Sequence, residues 1–215
     1  MNRPDKCRLS GRFIKNSFSH ILHIMSRKRK RDRGKFETIA KYFLLFTLLS
    51  FLGWAFEVGI MFLQTGEYCE RGLLALPICP IYGTSLLFAY FILGTPNEGR
   101  GILKKVKSPL IRCLLYAAFA FLIPTLAELI VGVFFDKVYQ TAFWSYSGMP
   151  WNFRGYICIP VSVGWMIAVF LFMGILFEPI KKGVFKLPKM LAIVLAIFLF
   201  IAVVSDFAVS MAALN

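Results

Sequence analysis

Acidic residues are scarce in this chain, 11 Asp and Glu against 25 Lys and Arg in 215 residues, which argues against a charge-balanced soluble surface. Histidine is scarcer still. His20 and His23 both sit in the basic N-terminal tail, so the rest of the chain has no imidazole for a zinc site or for acid/base work. The five cysteines form no Cys-x-x-Cys pair and have no flanking histidine ligand. A metal site is therefore not expected, and the cysteines read as small apolar packing residues. No Gly-x-x-x-x-Gly-Lys-Ser/Thr sequence occurs, which excludes ATP hydrolysis by this chain through a P-loop. The first apolar stretch lies far from Met1 and lacks a small-residue cleavage site, so no cleavable signal peptide is expected.

What the chain has in abundance is apolar length. It is 58% hydrophobic with mean hydropathy +0.69, a composition whose natural solvent is lipid. We read it as an all-α, polytopic integral membrane protein with five transmembrane helices, at 42–63, 73–94, 109–135, 156–177 and 188–212. Residues 1–41 form a basic cytoplasmic tail and 42–215 the five-helix transmembrane domain. The flanking segments alternate between basic and base-poor. Thirteen Lys and Arg precede Phe43; the link 95–108 holds Arg100, Lys104, Lys105 and Lys107; the link 178–187 holds Lys181, Lys182 and Lys186. The intervening links carry few cations. The positive-inside rule then places the N-terminus in the cytoplasm and the C-terminus outside, in a multi-pass protein of the cell inner membrane.

Within the tail, Ile14, Phe18, Ile21, Leu22 and Met25 recur at helical spacing, which reads as an amphipathic helix on the inner leaflet. A disordered tail, or translation beginning at Met25, remains open at this stage. The basic run Arg27–Arg33 favours anionic membrane lipids over nucleic acid as its partner.

Three carboxylates stand inside apolar stretches, where an embedded charge costs on the order of 2.5–3.5 kcal/mol on insertion scales. At about 1.5 Å per residue, Glu57, Glu128 and Asp206 all lie roughly 22–24 Å from the inner boundary. The expectation is a shared polar pocket facing outward, substrate- or ion-binding, formed by Glu57, Glu128 and Asp206 with Arg71 and Arg154 as counter-charges. The alternative is three boundary residues reaching separately for headgroup water. Arg71-Gly72 and Arg154-Gly155 open similar phrases, each with Pro and then Gly following, and each after a helix with an embedded Glu. This pattern reads as a two-helix parallel repeat, and transporter sites often lie where such repeats meet. The aromatic link Phe143–Gly155 supplies a lid or interface with Trp144, Tyr146 and Trp151; an interfacial aromatic belt reads equally well.

These residues also carry a family resemblance. Phe51-Leu52-Gly53-Trp54-Ala55-Phe56-Glu57, Arg71-Gly72-Leu73 with Pro77-Ile78-Cys79-Pro80-Ile81-Tyr82-Gly83, Trp144-Ser145-Tyr146-Ser147 and Pro150-Trp151-Asn152-Phe153-Arg154-Gly155-Tyr156-Ile157 resemble the ABC-transporter type IV family of small CmpB-like bacterial membrane proteins. The match covers 42–177. Ala75-Leu76-Pro77 departs from the Gly-Pro usual there, and Ser145 stands where Asp commonly follows the Trp. The resemblance implies a permease component needing a separate ATPase subunit, with Tyr82 and Asn152 joining the pocket. Five spans are few for a complete pathway, so a homo-oligomer is expected. No cofactor is expected. A membrane enzyme acting on a lipid or envelope precursor, or an ion-coupled carrier, are the alternatives.

Overall fold

The computed structural model describes the backbone of residues 5–68 and 72–213, with side chains from Gly34 onward other than Gln64. Its contacts group into two units, Met1–Ala40 and Lys41–Asn215. Helix α1 runs from Asp5 to Thr65. The apolar stripe expected from Ile14 to Met25 concerns side chains outside the described residues.

The second unit is an all-α membrane protein body. Among the described residues of the chain, four helices are long and apolar enough to cross a bilayer: the Gly34–Leu63 part of α1, which begins in the first unit, α3 (Pro109–Tyr139), the continuous helix Ile159–Phe185, and α6 (Lys189–Ala212). The third comprises α4 (Ile159–Leu171), a π turn (Phe172–Leu176) and α5 (Phe177–Phe185). Ser108 caps α3, its hydroxyl accepting from the Ile111 amide, and Pro109 fills the first helical position, where no amide partner is needed.

The stretch expected to cross as 73–94 behaves differently. Its helix, α2, covers only Pro80–Leu93, 14 residues. At about 1.5 Å per residue that is roughly 21 Å, short of a hydrocarbon core of about 30 Å. Residues 72–79 are irregular. Gly72 adopts φ 100°, a left-handed conformation open to glycine. Pro77 and Pro80 each bias the preceding residue away from helix, and Pro80 then starts α2. Non-helical backbone at membrane depth must find partners inside the protein. Here the Cys79 amide donates to the Ser50 carbonyl of α1 (3.1 Å), and the Ala75 and Leu76 amides donate to the Asp206 carboxylate of α6 (3.3 and 2.9 Å).

Two glycines let α2 lie close against α1. A Cβ on Gly53 would overlap the Tyr82 ring, and one on Gly83 would overlap Ser50 and the Phe46 carbonyl. Gly53 lies one turn before Glu57, so the approach that it permits also delivers Tyr82 to that carboxylate. α3 packs along α4 and against α2. Fully buried Leu45, Leu49, Tyr90, Leu93, Tyr116 and Phe177 fill the interior, while Leu114, Ile130 and Phe198 are more than 60% exposed, as a lipid-facing surface requires.

At the lysine-rich end, the α2–α3 link is folded tightly rather than loosely. Gly94 and Gly99 form a bridge, Arg100 donates to the Tyr90 hydroxyl (2.7 Å), and a 3-10 helix follows at Gly101–Lys105. The Asn97 side chain donates to the Gly174 carbonyl (2.7 Å) within the π turn, satisfying a carbonyl in a segment whose ladder is shifted. Lys104, Lys105, Lys107, Lys182 and Lys186 remain exposed at this end. At the opposite end, α3 and α4 are joined through a small antiparallel hairpin, β1 (Asn152–Phe153) and β2 (Ile157–Cys158).

Candidate functional site

Among the described residues, Glu128 is the most deeply buried carboxylate, 9% exposed on α3. Its Oε1 accepts from the Trp165 indole of α4 (2.8 Å) and from the Tyr146 hydroxyl of the aromatic link (3.5 Å). Its Oε2 is buried with no hydrogen-bond partner among the described residues. A buried acceptor left unmade costs on the order of 1–3 kcal/mol, and more when charged, so a native site that keeps one calls for an explanation. Trp165 extends the site towards α1 and α2. Its ring lies 5.2 Å from that of Tyr82 and 6.0 Å from that of Phe56, centroid to centroid. Tyr82 in turn donates to Glu57 Oε2 at 2.6 Å. Glu57, Tyr82, Trp165, Glu128 and Tyr146 thus form one connected polar and aromatic cluster, drawn from α1, α2, α3, α4 and the α3–α4 link.

The other expected residues go elsewhere. Asp206 is not hydrogen-bonded to the two glutamates; both of its oxygens accept amides of the irregular 72–79 segment. The reason is the break before α2, which leaves donors that only a neighbouring helix can satisfy. Arg154 does not pair with Glu128. It is exposed at the hairpin turn with φ 52°, its guanidinium 5.9 Å from the Phe153 ring. Neutral donors, Trp165 and Tyr146, occupy the place expected for a counter-charge. Asn152 holds the link together: its side chain donates to the Met149 carbonyl (2.8 Å) and accepts from the Gly155 amide (3.1 Å). Trp151, 75% exposed, forms the outermost part of that link. Trp144 donates to the Tyr156 carbonyl (2.9 Å) and packs over Gly132. Arg71 lies outside the described residues.

The link itself is built by local polar bonds. The Ser145 hydroxyl accepts from the Ser147 amide (3.4 Å), a turn that an Asp at this position would also make. Tyr156, in the hairpin, donates to Asp136 at 2.5 Å, and that bond raises its phenol above the ordinary tyrosine value. Arg154-Gly155 is a turn with two positive φ values, so the glycine of each Arg-Gly phrase, Gly72 and Gly155, answers a backbone requirement.

Trp165 was missed from sequence. It stands amid apolar residues of α4 and looks like packing; only its register one turn past Pro160 could have hinted that its N–H faces α3. Among the described residues, no group of His, Cys, Asp and Glu is arranged to hold a metal. Apart from the cluster, an apolar cavity of about 310 Å³ opens between α1, residues 76–78 and α6, lined by Leu44, Phe51, Pro77, Leu199 and Val203 among others.

No curated protein and no solved structure matches the chain. Residues 44–211 match a family described as "Putative ABC-transporter type IV", so the match runs past Phe177 to take in α6 and Asp206, and leaves out the basic tail. The chain belongs to that family of ABC-transporter-related membrane proteins.

Proposed function

We propose that this protein is a permease-like membrane component of a transport system, with the Glu57–Tyr82–Trp165–Glu128–Tyr146 cluster as its substrate or ion site. The observation that carries the reading is Glu128, buried between helices with one oxygen bonded and the other left without a partner. A residue kept at such cost inside a membrane domain is a functional-site hypothesis by default. Family membership points to transport.

Because the chain has no P-loop, an ABC role needs a separate ATPase subunit. The exposed lysines at the 101–107 and 182–186 end offer a docking surface for it, and the alternation of basic links supports a cytoplasmic orientation of that end. The test is purification from native membranes in mild detergent, followed by reconstitution. A stoichiometric P-loop ATPase and ATP-dependent uptake that Glu128→Gln abolishes are expected. Uptake driven by a pH or ion gradient without any ATPase would replace the ABC reading with an ion-coupled carrier. A changed lipid profile with no uptake at all would instead favour a membrane enzyme.

A further inference from the structure

We infer that the hairpin joining α3 to α4 is a membrane-interface anchor, laying Trp151, Phe153 and Ile157 against the lipid headgroup layer at the end of the molecule opposite the exposed lysines. The inference goes beyond the transport reading and does not depend on it. It starts from the strand pairing. Phe153 stands opposite Ile157 and Asn152 opposite Cys158, so the two pairs occupy opposite faces of the ribbon. Cys158 is buried, which turns its face to the protein, whereas Phe153 is 55% exposed. The Ile159 amide donates to the Trp151 carbonyl (3.3 Å) and sets these two residues side by side, 50% and 75% exposed. Trp151 holds φ 53°, a left-handed conformation that bulky residues seldom adopt, and presents most of its surface outward.

Ile159 belongs to two surfaces at once. It ends the apolar face of the hairpin and begins a ridge of exposed side chains on the following helix, Ile159, Val163, Ile167, Leu171 and Ile175, spaced by four. A ridge of that composition on a membrane-crossing helix faces lipid. The hairpin therefore continues a lipid-facing surface instead of starting a separate patch. Length sets its depth. The helix from Ile159 to the exposed Lys182 is about 35 Å long, a little more than a hydrocarbon core of about 30 Å. With the Lys182 ammonium at one boundary, Ile159 falls at the other, and residues 151–157 lie just beyond it among the headgroups.

The chemistry of the hairpin suits that layer and no other. Indole rings settle where one edge is apolar and the other wet, and the Arg154 guanidinium, 5.9 Å from the Phe153 ring, keeps its charge at the level of the lipid phosphates. In bulk water the same face would strand three large apolar side chains in one contiguous patch. Deep in hydrocarbon, the Arg154 charge and the polar backbone of the turn would both be costly.

The experiment is lipid quenching of tryptophan emission on the full chain in phosphatidylcholine nanodiscs. Wild type and Trp151→Phe are compared in plain lipid, in lipid brominated near the headgroup end of its chains, and in lipid brominated near the chain ends, with iodide as the aqueous quencher. The emission lost in Trp151→Phe is the Trp151 signal. It should be quenched at least about twofold more by the shallow bromines than by the deep ones, and by iodide at less than about half the rate of free tryptophan. Phe153→Trp adds an indole to the same face and should repeat that order of quenching. It carries the test where Trp151→Phe fails to fold, as judged by size-exclusion chromatography. Free access to iodide with no lipid quenching would put the hairpin in water and overturn the inference. Quenching by neither lipid nor iodide would place a protein surface over it, such as a second copy of the chain, and overturn it equally. Stronger quenching by the deep bromines would do the same, by moving the face into the core. The readout needs no uptake, so this inference and the transport reading fail separately.

Discussion

Asp206 and Glu128 each stand within a long apolar helix, yet their oxygens are engaged differently. Asp206 has both oxygens engaged by the amides of Ala75 and Leu76, donors set loose where the chain breaks before α2. Glu128 has one oxygen engaged by side chains and the other by nothing among the described residues. The difference teaches that an embedded carboxylate is not by itself a site. What sets Asp206 apart from the proposed site acid is whether any acceptor capacity is left over once the backbone has been satisfied.

The comparison can be broken most directly at Asp206. Asp206→Ala strips the acceptor from two amides, each bond to a charged group being worth about 1.5–3 kcal/mol, so we expect a loss of roughly 3 kcal/mol in unfolding from detergent. If that variant instead unfolds at the wild-type midpoint, the structural role assigned to Asp206 is wrong. Gly83→Val comes next. Its branched side chain has no room against Ser50 and the Phe46 carbonyl, and overpacking of this kind costs about 1–3 kcal/mol. It should also separate Tyr82 from Glu57, seen as a loss of the effect of Tyr82→Phe in a double-mutant cycle.

Glu128→Gln sharpens the contrast from the other side. The amide oxygen still accepts from Trp165, and the new N–H₂ group meets the place where Oε2 had no partner, so the stability cost should stay near 1 kcal/mol while uptake falls by tenfold or more. Stability measured by thermal unfolding and uptake by reconstituted vesicles must therefore part company at Glu128 and move together at Asp206. The smallest effect is expected at Arg154→Gly. Its φ of 52° favours glycine, so the variant should be stabilised by a few tenths of a kcal/mol, up to about 1, with uptake unchanged.

Much of the fold could be read from local pattern. Long apolar runs flanked by Ser108-Pro109 and Pro188 give α3 and α6 nearly at their observed bounds, because length, capping and proline act on the segment alone. The same rules overestimated the helix after Arg71. Hydropathy sees Leu73–Cys79 as apolar and cannot tell a helix from an irregular stretch whose amides are taken by another helix. In the candidate site, Glu57 and Glu128 stand out in the sequence as carboxylates in apolar runs, Tyr146 as part of an aromatic-rich link, and Tyr82 through the family motif. Trp165 was not, since an indole inside an apolar helix announces packing whatever its N–H does.

The sequence by itself determined the solvent of this protein, its helical class and its family. Those follow from composition, apolar length and short motifs, each a property of neighbouring residues. Only the tertiary structure decided which acids cooperate. Whether a carboxylate meets a backbone amide or an indole depends on which helices touch, and that in turn depends on close approaches such as those at Gly53 and Gly83. A rotation of α2 or α4 by about 100°, one residue of register, would take Tyr82 from Glu57 or Trp165 from Glu128 while leaving the hydropathy pattern unchanged.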